Sequence, residues 1–439
     1  MSIHFLGILF ASYVATHAEC HADIRSTKQP LLPAEGIDDN DRHSISTHIF
    51  GESIPLLSSR TDLVRQSRAQ QDYVHEVTFI IRQNNMDELT RVLHDVSNPS
   101  SPNYGQHWTR DAVIALTVNP EGQGAVTSYL LSKGAFVVSI SSTREYIRAK
   151  AAISVWEAMF NTEFYAFHLT QYNGKVNKVM RAEKYWIPRV LESHIDCVLN
   201  MIDVPLRLFG YLPKVASSPI SDGYASSTSV DITPQVIQSY YNMSSTVTGS
   251  TLSTQATFAS IEQYLSPTDL NTFQKDFGLI VQPISKDIGN FTSNTLCIRD
   301  PNSCVESNLD IQYIMGISQI SPTTYWYSDL SFGDWLYTVA NTKNPPLVIS
   351  ISYGQDEAYT SSSELDLFNN QAIKLGAMGV SIFVSSGDDG ANSRDVRTSG
   401  KSSCGYSPSF PATSPYVTAV GATSVRFIHS NVISSIFIF

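Results

Sequence analysis

The sequence predicts an α/β protein with two folded domains, and three observations carry that expectation. Between His75 and His168 the apolar residues switch between a period of two and a period near 3.6, the patterns of half-buried strands and amphipathic helices. Beyond residue 229 the candidate strands are short runs of apolar and small residues bounded by helical pattern, as in a mostly parallel sheet covered on both faces. A length of 439 residues, 42% hydrophobic and 16% charged, suits two or three domains and excludes disorder or collagen-like repeats.

Taken in order, the first domain opens with a strand from Val77 to Arg82. A helix follows from Met86 to Val96, with Leu89, Val92, Leu93 and Val96 at helical spacing. The run from Asn98 to Gly105 ends it, because its two prolines and its glycine do not continue a helix. A helix from Pro120 to Lys133, a strand from Ala135 to Ser139, a helix from Ala151 to Phe160 and a strand from Glu163 to His168 complete a compact α/β domain. Residues 206–228 are rich in Ser, Gly and Pro and read as an exposed, cleavable linker. The second domain starts with a helix opened by Thr233-Pro234, where proline suits the first helical position. Its buried-strand candidates are Ala256 to Ile261, Pro346 to Ser352, and Val380 to Ser386.

The N-terminus has the form of a secretory signal over residues 1–18, with an apolar run from Phe5 to Val14 and small residues near Ala18. About ten apolar residues fall short of the roughly twenty that span a bilayer, so no membrane span is expected. Residues 19–72 are polar and read as an extended leader. Lys and Arg number 29 against 40 Asp and Glu, for a net charge of −11, which argues against a nucleic-acid partner. The sequons at Asn242 and Asn290 are compatible with glycosylation in a secretory pathway. Five cysteines, at 20, 197, 297, 304 and 404, match no zinc framework, though Cys297 and Cys304 can close a small loop in an oxidising lumen.

Two places carry candidate chemistry. Glu306 and Asp310 lie four apart on a helical segment, so they share a face. Such a pair either has separated proton affinities, as an acid and base require, or is an ordinary solvated acidic face. Asp388 follows the strand ending at Ser386, at the carboxyl edge where open parallel sheets build their sites. An aspartate beside glycine is also common turn chemistry.

Five ordered motifs favour the first readings. They are Ser97 to Gln106, Glu306-x-x-x-Asp310, Ile351-Ser-Tyr-Gly354, Ser386-Gly-Asp388, and Phe410 to Gly421. Together they resemble the sedolisin family of serine-carboxyl peptidases, closest to its tripeptidyl-peptidase branch, over residues 75–424. The resemblance implies a ferredoxin-like activation propeptide over 73–205 and a subtilisin-like catalytic domain from 229. It implies Glu306 as the general base, Asp310 as its orienting partner, and Asp388 as an oxyanion donor. It also implies peptide or protein substrates, an acidic working pH, and a propeptide acting as intramolecular inhibitor and chaperone. An extracellular or lysosome-like acidic compartment follows from the same likeness.

The family's nucleophilic serine sits in a Gly-Thr-Ser segment beyond the Phe410 to Gly421 motif, with a calcium loop after it. Residues 422–439 show neither, so no nucleophile and no calcium ligands are assigned. Ser424 is disfavoured because it lacks the small-residue helix and proline that follow the family's serine. The family also writes Gly-Asp-Ser-Gly where this chain has Asp389 in the serine's place. Residues 425–439 look unrelated to the family, and Val432 to Phe439 is an aggregation-prone run. Val425-Arg426 can be encoded by GTA-AGA, the form of an intron start, which suggests a retained intron or a gene-ending error. The sequence therefore reads as a truncated peptidase zymogen, or else as an inactive product acting at most as a binding or inhibitory module.

Overall fold

Five consecutive residues, Val77 to Ile81, are buried within a single strand, and the first of two units is arranged around it. The computed structural model describes residues 47–53, 63–170, 176–203, 232–244, 249–388, 407–428 and 432–438, with backbone alone beyond Gly421. The expected signal peptide, the linker 206–228, Cys20, Cys404 and Asp389 lie outside the described residues. The described residues divide into 47–203 with Ala358–Met378, and 232–357 with 379–438.

In the first unit the elements are β1 (His48–Ser53), β2 (Leu63–Arg68), β3 (Val74–Ile81), α1 (Met86–Ser97), α2 (Arg110–Thr117), α3 (Pro120–Ser132), β4 (Phe136–Ile140), β5 (Tyr146–Ala152), α4 (Ile153–Phe160), β6 (Phe164–Thr170), β7 (Val176–Ala182), β8 (Lys184–Pro188) and β9 (Ile195–Leu199). The main sheet runs β4-β5-β3-β9 with every pairing antiparallel. The order β3, α1, β4, β5, α4, β9, with β3 between β5 and β9, is the ferredoxin-like arrangement expected. Trp156 and Phe160 of α4 pack on Phe79 at ring separations of 6.3 and 5.9 Å. The Trp156 indole N–H donates to the His75 carbonyl at 3.0 Å, so the largest core side chain has its polar atom satisfied.

The first unit differs from the sequence reading in several places, and β7, β8 and β9 have no counterpart in that reading. β1 and β2 lie within 19–72, read as an extended leader, yet they pair with β8 and β6. α2 escaped the reading because it has only eight residues, too short for periodicity to show. β5 escaped because three of its seven residues are alanine and its outward positions are Arg148 and Lys150, which gives little apolar alternation. The expected helix from Ala151 accordingly starts at Ile153.

The second unit holds α5 (Pro234–Tyr240), β10 (Gln255–Ala259), α6 (Pro267–Asp276), β11 (Lys286–Ile288), α7 (Asn294–Arg299), α8 (Val305–Ile317), β12 (Thr323–Tyr327), α9 (Phe332–Ala340), β13 (Val348–Ile351), β14 (Gln355–Asp356), β15 (Ser381–Ser385), β16 (Ser409–Phe410), β17 (Thr418–Val420), β18 (Ala422–Ile428) and β19 (Val432–Ile438). Six strands form one sheet in the order β11-β12-β10-β13-β15-β17, with each pairing parallel. The three strands read from apolar runs become β10, β13 and β15, its centre. All five residues of β10 are buried, as a strand covered on both faces requires. Thr233, Ser266, Ser293 and Ser331 each cap the helix that follows by accepting a backbone N–H. Most of the apolar tail lies in the antiparallel pair β18-β19, and the family resemblance ends inside β18.

The last element, α10 (Ser362–Ala377), falls in sequence between β14 and β15 but packs in the first unit. There the Lys374 ammonium meets Glu145 Oε1 at 2.7 Å, with both side chains buried. Gln371 donates to the same oxygen at 2.6 Å. At the helix ends, Ser363 N donates to Glu52 at 3.1 Å and Trp108 N donates to the Ala377 carbonyl at 2.9 Å.

Candidate active site

α8 starts directly after a disulfide, Cys297–Cys304, which closes a loop of seven residues' separation. Cys304 offers no side-chain cap to the helix. Instead the Gln263 side-chain carbonyl accepts the Glu306 N–H at 3.1 Å, which satisfies one of the orphan donors of the first turn. The disulfide and Gln263 together anchor the turn that carries Glu306.

The four-residue spacing puts Glu306 and Asp310 on one face of α8, and that face is inward. Glu306 is 7% exposed and Asp310 4%. The solvated acidic face is therefore excluded, and two carboxyls share one buried strip of helix. Tyr353, fully buried, belongs to the same environment: burial, then the charges of Glu306 and Asp310, push its phenol upward.

The sheet supplies the other groups. Because β10, β13 and β15 are neighbours and parallel, their carboxyl ends emerge on the same edge, where sites of open α/β sheets are built. Just past β13, the Ser352 hydroxyl donates to Asp310 Oδ1 at 2.6 Å. Past β15, Gly387 adopts φ of 94°, a conformation that favours glycine, and the chain turns there into Asp388. Asp388 is exposed, and its charge still acts on Glu306.

Electrostatics follows from this geometry. Burial, then the neighbouring Asp310 and Asp388 charges, raise Glu306 well above the usual carboxylate range. Burial raises Asp310 to about 7, and the Ser352 hydroxyl opposes that rise by favouring its ionised form. Two acids this close, with only one directly stabilised as an anion, form a pair that holds a single proton over an interval of pH. A pair in that state can accept a proton from a third group and return it.

All three sequence-derived acids thus converge on the carboxyl edge of the sheet. Ser352 was part of the Ile351-Ser-Tyr-Gly354 motif but drew no role from sequence; its place directly after a buried parallel strand was the available signal. Gln263 carried none. Among the described residues, no group of three or more His, Cys, Asp or Glu side chains is positioned to hold a metal ion, so the calcium implied by the resemblance finds no fitting ligand set there. Asn242 and Asn290 are both exposed with positive φ, 51° and 63°.

Comparison with known proteins places the chain among peptidase relatives. The pro-kumamolisin activation domain matches residues 61–204, the span of β2 to β9. Tripeptidyl-peptidase 1 of Homo sapiens is 30% identical over 383 residues, covering 83% of this chain and 64% of that protein. The Rattus norvegicus tripeptidyl-peptidase 1 is 29% identical over 365 residues, covering 80% of this chain and 62% of its own. This chain carries a pro-kumamolisin activation domain and is homologous to tripeptidyl-peptidase 1. Among solved structures, Pseudomonas sedolisin, a serine-carboxyl proteinase complexed with pseudo-iodotyrostatin, is 22% identical with a TM-score of 0.35, covering 45% of this chain and 55% of that one. The chain spans 62 to 64% of the length of the two tripeptidyl-peptidases. The activation-domain match begins within the stretch read as leader, so the family's folded propeptide starts ahead of residue 73.

Proposed function

We propose that this chain is the precursor of a serine-carboxyl peptidase that hydrolyses peptides through an acyl-enzyme, with Glu306 as general base, Asp310 as its proton-sharing partner and Asp388 as the group facing the oxyanion. The observation that supports this reading is the buried pair Glu306 and Asp310, one helical turn apart at the carboxyl edge of a parallel sheet with Asp388 beside it. In the proposed reaction a serine oxygen attacks the scissile carbonyl and its proton passes to Glu306 as the proton Glu306 already holds moves on to the charged Asp310. The proton is then delivered to the leaving amine, and water repeats the cycle on the ester. Asp388, protonated, would donate to the oxygen that becomes negative.

The nucleophile is proposed to lie in a Gly-Thr-Ser segment outside residues 1–439, with the calcium loop after it. The proposed working range is on the acidic side of neutrality. An N-terminal signal, passage through a secretory pathway, glycosylation at Asn242 and Asn290, and residence in an acidic compartment are proposed with it. The activation domain is proposed to inhibit and chaperone the catalytic part until it is removed. The second reading is a non-catalytic product that retains only peptide binding; it is favoured by the lack of a Gly-Thr-Ser segment in the sequence.

Two linked measurements test this. Transcript sequencing should find a spliced message continuing in frame from Ser424 to a Gly-Thr-Ser segment; an uninterrupted message with the present stop favours the non-catalytic reading. The product of the spliced message should cleave a tripeptidyl amide with a free N-terminus fastest below neutrality, and Glu306→Gln should abolish cleavage. A rate maximum above neutrality, or full activity in Glu306→Gln, overturns the proposal.

A further inference from the structure

The two buried acids of α8 differ in one respect. Asp310 receives a side-chain hydrogen bond, from Ser352 at 2.6 Å, while the influences acting on Glu306 are burial and two negative neighbours. A donating hydroxyl stabilises a carboxylate over a carboxylic acid. Ser352 is also well held, because it follows β13, which is paired on both sides with β10 and β15. Its hydroxyl is therefore aimed at Asp310 by the sheet, not by the helix that carries the acids.

We infer that Ser352 is the positioning residue of the acid pair: its hydroxyl holds the negative charge of the singly protonated pair on Asp310 and leaves the proton on Glu306. The inference deepens the peptidase reading and rests on it for its catalytic meaning. The proton then sits on the acid that feels the charge of Asp388, where two carboxylates would otherwise repel, and the charge sits against a donor. The titratable groups around the pair are Tyr325 from β12, Tyr353 just beyond β13, and Asp388 beyond β15. Among the described residues no positively charged group is an influence on either acid, and there the hydroxyl is the stabilising contact that distinguishes them. By easing the first ionisation, Ser352 also extends the singly charged state towards lower pH.

The test is carboxyl NMR titration of the full-length chain labelled with ¹³C at Asp and Glu side-chain carboxyls, with assignments from Asp310→Asn and Glu306→Gln. In the wild type the Asp310 signal should titrate at lower pH than that of Glu306. Ser352→Ala should move the Asp310 midpoint upward by about one pH unit, and Ser352→Thr, which keeps the hydroxyl, should restore it. Earlier ionisation of Glu306, or an unmoved Asp310 midpoint in Ser352→Ala, overturns the inference. Should Ser352→Ala fail to fold, the wild-type order of ionisation decides alone. These titrations use no substrate, so their outcome is separate from that of the peptidase assay.

Discussion

Replacing Asp310 by asparagine should stabilise the second unit at neutral and alkaline pH, although it removes a member of the proposed machinery. Asp310 is 4% exposed, and burial carries its carboxyl from the ordinary 3.8 to about 7. In the unfolded chain it reverts to the ordinary value. Since the folded value is the higher one, the folded protein binds this proton more tightly. The stability linked to it is fully present below 3.8 and is lost as pH rises through about 7. A difference of about three pH units at 1.36 kcal/mol each is about 4 kcal/mol. Asparagine keeps the shape and can still accept from Ser352, but it never ionises. The variant should therefore equal the wild type near pH 3 and exceed it by about 4 kcal/mol near pH 8. Hydrogen exchange of β10 and β13 amides in the full-length chain reads this unit by itself, which global unfolding of a two-unit chain does not. If Asp310→Asn weakens protection near pH 8, or strengthens it equally at both pH values, the reasoning fails.

Three further outcomes are expected. Changing Cys297 and Cys304 to serine opens a loop of seven residues' separation and should cost roughly 2 to 3 kcal/mol, with faster exchange in the first turn of α8 where Glu306 sits. Lys374→Met strands Glu145, itself 2% exposed, without its cation; this should cost about 3 to 5 kcal/mol in the first unit, and adding Glu145→Leu should recover most of it, as hydrogen exchange of β3 and β5 amides will show. His75 is buried with its Nε2 donating to the Asn200 carbonyl at 2.8 Å. Burial, against the smaller raising effect of that bond and with Arg181 nearby, lowers it below the ordinary 6.5. Its folded value being the lower one, stability of the first unit is full above 6.5 and falls as pH drops. Hydrogen-exchange protection of β3 and β5 amides should differ less between about pH 5 and about pH 7.5 in His75→Gln than in the wild type.

How much was legible in the sequence depended on how local the determining physics was. Met86–Ser97 and Pro120–Ser132 are helices because their apolar spacing and flanking residues specify them within a dozen positions. β10, β13 and β15 were visible because a strand covered on both faces must be apolar throughout. β5, with its alanines and outward cations, was not, because its place between β3 and β4 is decided by partners distant in sequence.

The candidate site divides the same way. Sequence by itself determined which acids could act, through the four-residue spacing of Glu306 and Asp310 and the position of Asp388 after a strand. It left open whether the pair faces water or the interior, since both arrangements have the same spacing. Only the tertiary structure decided that α8 turns those acids inward, that a serine from the end of β13 donates to one and not the other, and that α10 packs in the first unit through Lys374 and Glu145. Burial, desolvation and hydrogen bonds between strands and helices far apart in the chain are properties of the assembled fold. Proton affinity depends on them, so the sequence could name the acids but not rank them.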